Sequence, residues 1–269
     1  MDEEILFLNG YHVGKTIGEG TYSKVKEAYS ISQKRKVAVK IIDKSIAPAA
    51  FIQKFLPREL HIVPTLHHKN IIEVYKIIEA GYHRTYMIME LADGGDIFDH
   101  IIKNGAFPED DAQTLFHQLV EAIHYLHNRG VAHRDLKCEN TLLDHGVLKL
   151  TDFGFAKILP TSTGELTHTF CGSLAYAAPE VLQGVPHDSR KGDIWSMGVL
   201  LYVMLSATLP FHDHNIPKML VQQQRSVMLP DHIHLSEDCR DLVKRLLEPN
   251  AVLRPSINEV IRHPWLNHY

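Results

Sequence analysis

Apolar side chains change their period along this chain, and each change announces a different kind of element. Residues 11–42 alternate apolar and polar positions between glycines. A period of two fits half-buried strands and predicts a twisted antiparallel meander. From Ala49 to Leu66 the period lengthens: Phe51, Phe55, Leu60, Val63 and Leu66 fall mostly three or four apart and predict helix. Strand-like runs return at Ile71–Ile78 and Tyr86–Leu91. Ala92-Asp93-Gly94-Gly95 then breaks the pattern, where a hinge between two lobes is expected. Beyond the break helical spacing dominates. Pro108-Glu109-Asp110-Asp111 is a proline-led, acidic helix start, followed by Leu115, Leu119, Ile123 and Leu126. Further helices are expected at Arg190–Leu205, Asn215–Arg225, Ser236–Leu247 and Ser256–Arg262, with a hairpin around Gly146.

Two prolines complicate the first helix. Pro57 lies two residues before Glu59 and Pro64 five after it. Proline inside a helix removes a hydrogen bond and costs about 3 kcal/mol. The segment should therefore be split, with Pro57 in the first turn of the piece bearing Glu59 and Pro64 kinking or ending it. A kink that turned Glu59 away would break its pairing with Lys40 in the resting state.

Composition narrows the class. A chain of 269 residues with 45% hydrophobic and 22% charged content can bury a large core as one big domain or two lobes. The net charge of −4 gives no footprint for nucleic acid or anionic membrane. Nineteen histidines are scattered without metal-ligand spacing. The three cysteines, Cys138, Cys171 and Cys239, are odd in number and far apart, which argues for a reducing compartment and for semi-buried thiols. The acidic Met1-Asp2-Glu3-Glu4 start is unlike a signal or transit peptide, and Asp2 stands where N-myristoylation needs glycine. The run Ile194–Phe211 is interrupted by Ser196, Gly198, Ser206, Thr208 and Pro210, so it reads as a helix buried on all sides rather than a membrane span. No regulatory tail is expected after the last helix.

Chemistry concentrates in five strings, in this order: Gly18-Glu19-Gly20-Thr21-Tyr22-Ser23-Lys24-Val25, Val37-Ala38-Val39-Lys40, His133-Arg134-Asp135-Leu136-Lys137-Cys138-Glu139-Asn140, Asp152-Phe153-Gly154 and Ala178-Pro179-Glu180. Together they are the parts needed to move the γ-phosphoryl of ATP to a hydroxyl. Gly18 and Gly20 let a turn close over phosphates, although Ser23 stands where a third glycine is usual. Lys40 would hold the α- and β-phosphates, with Glu59 as its anionic partner. Asp135 is the candidate base or orienter of the acceptor hydroxyl, and Lys137 is placed to neutralise charge on the γ-phosphate. Asn140 and Asp152 offer the oxygen ligands that Mg2+ prefers.

These strings resemble the eukaryotic protein kinase family, serine/threonine branch, across roughly residues 11–266. Phe55-Leu56-Pro57-Arg58-Glu59, Lys137-Cys138-Glu139-Asn140 and Tyr176-Ala177-Ala178-Pro179-Glu180-Val181-Leu182-Gln183-Gly184 are most similar to the testis-specific serine/threonine kinases of the calmodulin-dependent and AMP-activated group. The resemblance implies an α+β bilobal fold. An N-terminal extension (1–10) would precede an N-lobe of sheet plus one helix (11–89), a hinge (90–95), a mostly helical C-lobe (96–266) and a short end (267–269). It implies an ATP site from Ile17, Gly18, Glu19, Gly20, Val25, Ala38, Lys40, Glu59, Met89, Glu90, Ala92, Asp96 and Leu142, with Met89 as gatekeeper and Leu91 also in the hinge. Mg2+, or Mn2+ in its place, would sit on Asn140 and Asp152. Asp193 would brace the catalytic loop, and Glu180 would pair with Arg254.

Regulation and partners follow from the same comparison. Thr169 matches the family's activation position, with Thr167 and Ser173 as alternatives; a phosphate there would meet Arg134, with Lys157 as a second cation. Asp96 and Glu139 would favour Arg or Lys upstream of the accepting Ser or Thr, while Val203 stands where strongly basic-directed relatives carry a further acid. The expected partners are protein substrates, an upstream kinase (or autophosphorylation instead) and a chaperone, with neither nucleic acid nor membrane. The implied setting is cytoplasmic or nuclear, in germ cells during sperm formation. The competing readings are a catalytically dead scaffold and a small-molecule phosphotransferase. All five expected catalytic parts argue against the first, and the Ala178-Pro179-Glu180 segment with Arg254 against the second.

Overall fold

The computed structural model describes residues 2–159, 172–211, 215–225, 227, 229–230 and 233–267. The chain divides into two compact units, Met1–Asp93 and Gly94–Tyr269.

The first unit opens with a helix that hydrophobic periodicity does not announce, α1 (Asp2–Leu8). Seven residues are too few to show a period. Its acidic first turn suits the positive end of the helix dipole, and Gly10 at φ +88° ends it in a left-handed cap that donates to Phe7 O at 2.9 Å. The predicted meander follows as β1 (Tyr11–Glu19), β2 (Ser23–Ser30) and β3 (Arg35–Asp43). The next segment is split as the prolines require. A wide i→i+5 turn spans Phe51–Phe55, α2 spans Leu56–Ile62 with Pro57 in its first turn, and Pro64 lies in a 3-10 turn, Val63–Thr65. Leu66 is already extended, at φ −93°. Proline is tolerated at a helix start because the N–H it lacks would have no intrahelical partner there.

Strands β4 (Val74–Ala80) and β5 (Arg84–Met89) complete an antiparallel sheet of order β1-β2-β3-β5-β4. The run predicted from Ile71 enters the sheet only at Val74; Ile71 makes an isolated bridge, and Ile72 is buried outside any strand. Register assigns the two faces. Val25 pairs with Lys40, and Ala38 with Met89, so alternation sets Val25, Ala38, Lys40 and Met89 on one face. Val37, Val39, Ile41, Ala28, Tyr86 and Ile88 fall on the other, where Leu6 of α1 joins them in one buried cluster.

The second unit is mostly helical. Asp96 caps α3 (Ile97–Asn104), accepting from Asp99 N at 2.7 Å. Behind Pro108 runs α4 (Glu109–Asn128). Strand β6 (Val131–Ala132) precedes the predicted hairpin of β7 (Thr141–Asp144) and β8 (Val147–Leu150), and β9 (Lys157–Ile158) returns to pair with β6. A short α5 (Pro179–Leu182) leads to α6 (Ser189–Ser206), whose side chains from Val199 to Leu205 are all buried, so the apolar run is an interior helix. No helix among the described residues is long and apolar enough to cross a membrane. Last come α7 (Ile216–Gln223), α8 (Glu237–Leu246) and α9 (Ile257–Val260), the last much shorter than its sequence pattern suggests. Gly198 lets α8 close on α6: a Cβ there would lie 2.8 Å from Leu246 Cβ. Glu109 staples three parts, accepting from Ser236 N and Trp265 Nε1, both at 2.8 Å, and from Ser236 Oγ.

Candidate active site

In the first unit Gly18, Val25, Ala38, Lys40 and Met89 share one face of the sheet. Gly18 pairs with Val25 and Glu19 with Lys24 across the β1–β2 turn, whose tip is closed by Gly20 N donating to Ser23 O at 2.7 Å. Ile17 is exposed on β1, and Met89 is buried at the end of β5. Lys40 Nζ lies 2.7 Å from Glu59 Oε1, with the Glu59 side chain only 3% exposed. The split helix therefore holds Glu59 toward the lysine, which answers the question that the two prolines raise. A buried carboxylate needs such a partner, and losing the lysine would leave its charge stranded. Beyond β5, Glu90 N donates to Glu73 O at 2.8 Å, and Ala92 is half-buried.

In the second unit the loop after β6 is organised around two carboxylates. Asp193, 1% exposed on α6, accepts from Arg134 N at 2.8 Å, His133 N at 3.0 Å and His127 Nε2 at 2.8 Å. Arg134 holds a left-handed backbone, φ +71°, a conformation that costs energy in a non-glycine residue. The two amide bonds to Asp193 fix it there, and they aim the next residue, Asp135.

Asp135 is 5% exposed and engaged on both oxygens. Oδ1 accepts from Ser173 N at 3.0 Å and Ser173 Oγ at 3.3 Å. Oδ2 meets Lys137 Nζ and Asn140 Nδ2, each at 3.0 Å. Lys137 Nζ also donates to Ser173 Oγ at 3.1 Å. Gly172, at φ +94°, makes this approach feasible, since a Cβ there would lie 2.7 Å from Arg134 O. Sequence reading places Asp135, Lys137 and Asn140 together but misses Ser173 as their partner, because 38 positions separate it from Asp135. Its hydroxyl donates to Asp135 Oδ1 and accepts from Lys137 Nζ, closing the cluster.

Asn140 and Asp152 stand at the open end of the β7–β8 hairpin. Asn140 O accepts from Thr151 N at 3.0 Å, and Asp152 follows, exposed, with φ +60°. Phe153 is buried against the His133 ring, centroids 4.8 Å apart. Asn140 spends its amide nitrogen on Asp135, so its oxygen is the atom it can offer a cation. Two oxygen donors from adjoining segments fit a hard divalent ion. Asp96 bridges to Leu142, and burial raises its carboxyl above the usual range, helped by the charges of Asp99 and Glu139. Burial pushes the thiols of Cys138 and Cys239 up to about 12, so neither is a nucleophile at neutral pH. Arg254 grips Glu180 through two bonds, 2.7 and 3.0 Å. Thr167, Thr169 and Cys171 lie outside the described residues.

The family model for the protein kinase domain matches residues 11–266. The chain belongs to the protein kinase family. It is 65% identical over 264 residues to testis-specific serine/threonine-protein kinase 3 of Mus musculus, covering 98% of each chain, and equally so to the Homo sapiens protein of that name. Against testis-specific serine/threonine-protein kinase 1 of Mus musculus it is 48% identical, covering 98% of this chain and 74% of the relative.

Proposed function

We propose that this chain is an ATP-dependent serine/threonine kinase that phosphorylates Ser and Thr hydroxyls of protein substrates. The observation that carries the reading is the cluster Asp135–Lys137–Asn140–Ser173: a buried carboxylate aimed by its neighbours, with a cation 3.0 Å away. Asp135 orients the acceptor hydroxyl and takes its proton as the oxygen attacks the γ-phosphorus, whose bond to the bridging oxygen breaks to release ADP. Lys137 offsets charge building on the transferred group. Lys40, held by Glu59, binds the α- and β-phosphates, and the Gly18–Gly20 turn covers them. Met89, Glu90, Leu91 and Ala92 form the adenine edge, with Ile17, Val25, Ala38 and Leu142 around the ring. Asn140 and Asp152 would hold Mg2+, whose chemistry is to neutralise phosphate charge and fix its geometry.

Finer points rest on resemblance and local charge. Residues 90–95 serve as the hinge of a catalytic domain spanning 11–266, preceded by residues 1–10. Thr169 is the activation position, phosphorylated by an upstream kinase or by the chain itself. Asp96 and Glu139 favour basic residues upstream of the acceptor. The relatives' description as testis-specific supports a germ-cell setting; placement in cytoplasm or nucleus and a part in sperm formation extend that reading. Purified protein with radiolabelled ATP, magnesium and a peptide library tests the reading. Expected are Ser/Thr labelling enriched for upstream Arg, loss of at least about 100-fold in Lys40→Met, and a severalfold lower kcat in Thr169→Ala. Absence of turnover by the wild type would overturn it.

A further inference from the structure

Phe51 has a contact that no motif announces. It lies in the wide turn before α2, and its ring meets that of Tyr22 with centroids 5.4 Å apart, tilted by 48°. Tyr22 occupies the tip of the β1–β2 turn, and Tyr22 O accepts from Asp43 N of β3 at 2.9 Å. Both rings are only half-buried, so the pair is not core filling.

The local helix geometry accounts for the contact. Phe51 and Glu59 would sit about 80° apart around an unbroken α-helix of 3.6 residues per turn. An i→i+5 turn advances less per residue and takes up part of that offset. Both side chains then address the β1–β3 strands: Glu59 reaches Lys40, and Phe51 reaches Tyr22. Pro57, with no N–H to extend the wide ladder, marks where α-helical winding begins.

We infer that Phe51 is a positioning residue, latching the glycine turn to the helix that carries Glu59. The turn over the phosphates and the Lys40–Glu59 pair are thereby set as one piece. This rests on the ATP reading above.

MgATP titrated calorimetrically into purified protein, alongside KM for ATP and for peptide, tests it. Phe51→Ala should weaken ATP binding and raise its KM about three- to tenfold, the worth of one aromatic pair, with peptide KM unchanged. Tyr22→Ala should act alike, and the double variant should be no worse than the more severe single, since one shared interaction is lost once. Phe51→Tyr keeps the ring and should restore wild-type affinity. If Phe51→Ala does not fold, Phe51→Leu supplies the same comparison with apolar bulk retained. Unchanged ATP affinity in the folded variant, or singles whose effects multiply in the double, would overturn the latch while leaving the kinase reading intact. A wild type that binds no ATP would overturn both.

Discussion

Asp193 reaches from α6 to the loop after β6, 60 positions earlier in the chain. Its two oxygens accept from three N–H groups, two of them on the backbone that leads into Asp135. An amide in its place has one acceptor oxygen, and its NH2 would face a donor. Each buried donor left unpaired costs about 1–3 kcal/mol, and the left-handed Arg134 would lose part of what holds it. Asp193→Asn should therefore lower kcat tenfold or more and Tm by several degrees, with KM for ATP little changed, because the Lys40–Glu59 pair lies elsewhere. Steady-state kinetics and a melting curve check this; wild-type kcat in a folded variant would show that the loop holds its shape unaided.

Among elements, the meander was legible from its period of two, the β7–β8 hairpin from Gly146, and the interior helix α6 from an apolar run broken only by small and polar residues. The split before Glu59 was legible from a single rule about proline. α1 and α3 escaped notice, since what makes them helical lies in caps and distant partners: Asp96 accepts from Asp99 N, and Asp2 from Tyr86 Oη. The same holds for the Glu109 staple, which spans 127 positions to Ser236 and 156 to Trp265. Those hydrogen bonds hold the Glu109 carboxyl below its usual range against the pull of burial. A lowered folded pKa stabilises above the unfolded value and is lost as pH falls through the folded one. Glu109→Gln should thus cost on the order of 1–3 kcal/mol at pH 7, and the gap from wild type should close as pH drops below about 4. Melting curves across pH test this; a constant gap would assign the effect to packing.

At the scale of the whole molecule, the motifs named the chemistry, yet most of the contacts that aim it join residues far apart in sequence. Ser173 on Asp135 and Phe51 on Tyr22 could be read only from coordinates, because a hydroxyl or a phenyl ring has no motif of its own. The first unit shows what such hidden dependence implies. Residues 2–8 fall before the span that defines the kinase domain, yet Leu6 is fully buried against Tyr86 and Ile88, and Asp2 accepts from Tyr86 Oη at 2.9 Å. A protein shortened to 11–266 would bare greasy strand surface to water, an adhesive patch of the sort that drives clumping. Its yield in the soluble fraction, and its dye binding beside the full chain, should betray the missing lid; equal behaviour of the two would mean the opening residues are expendable.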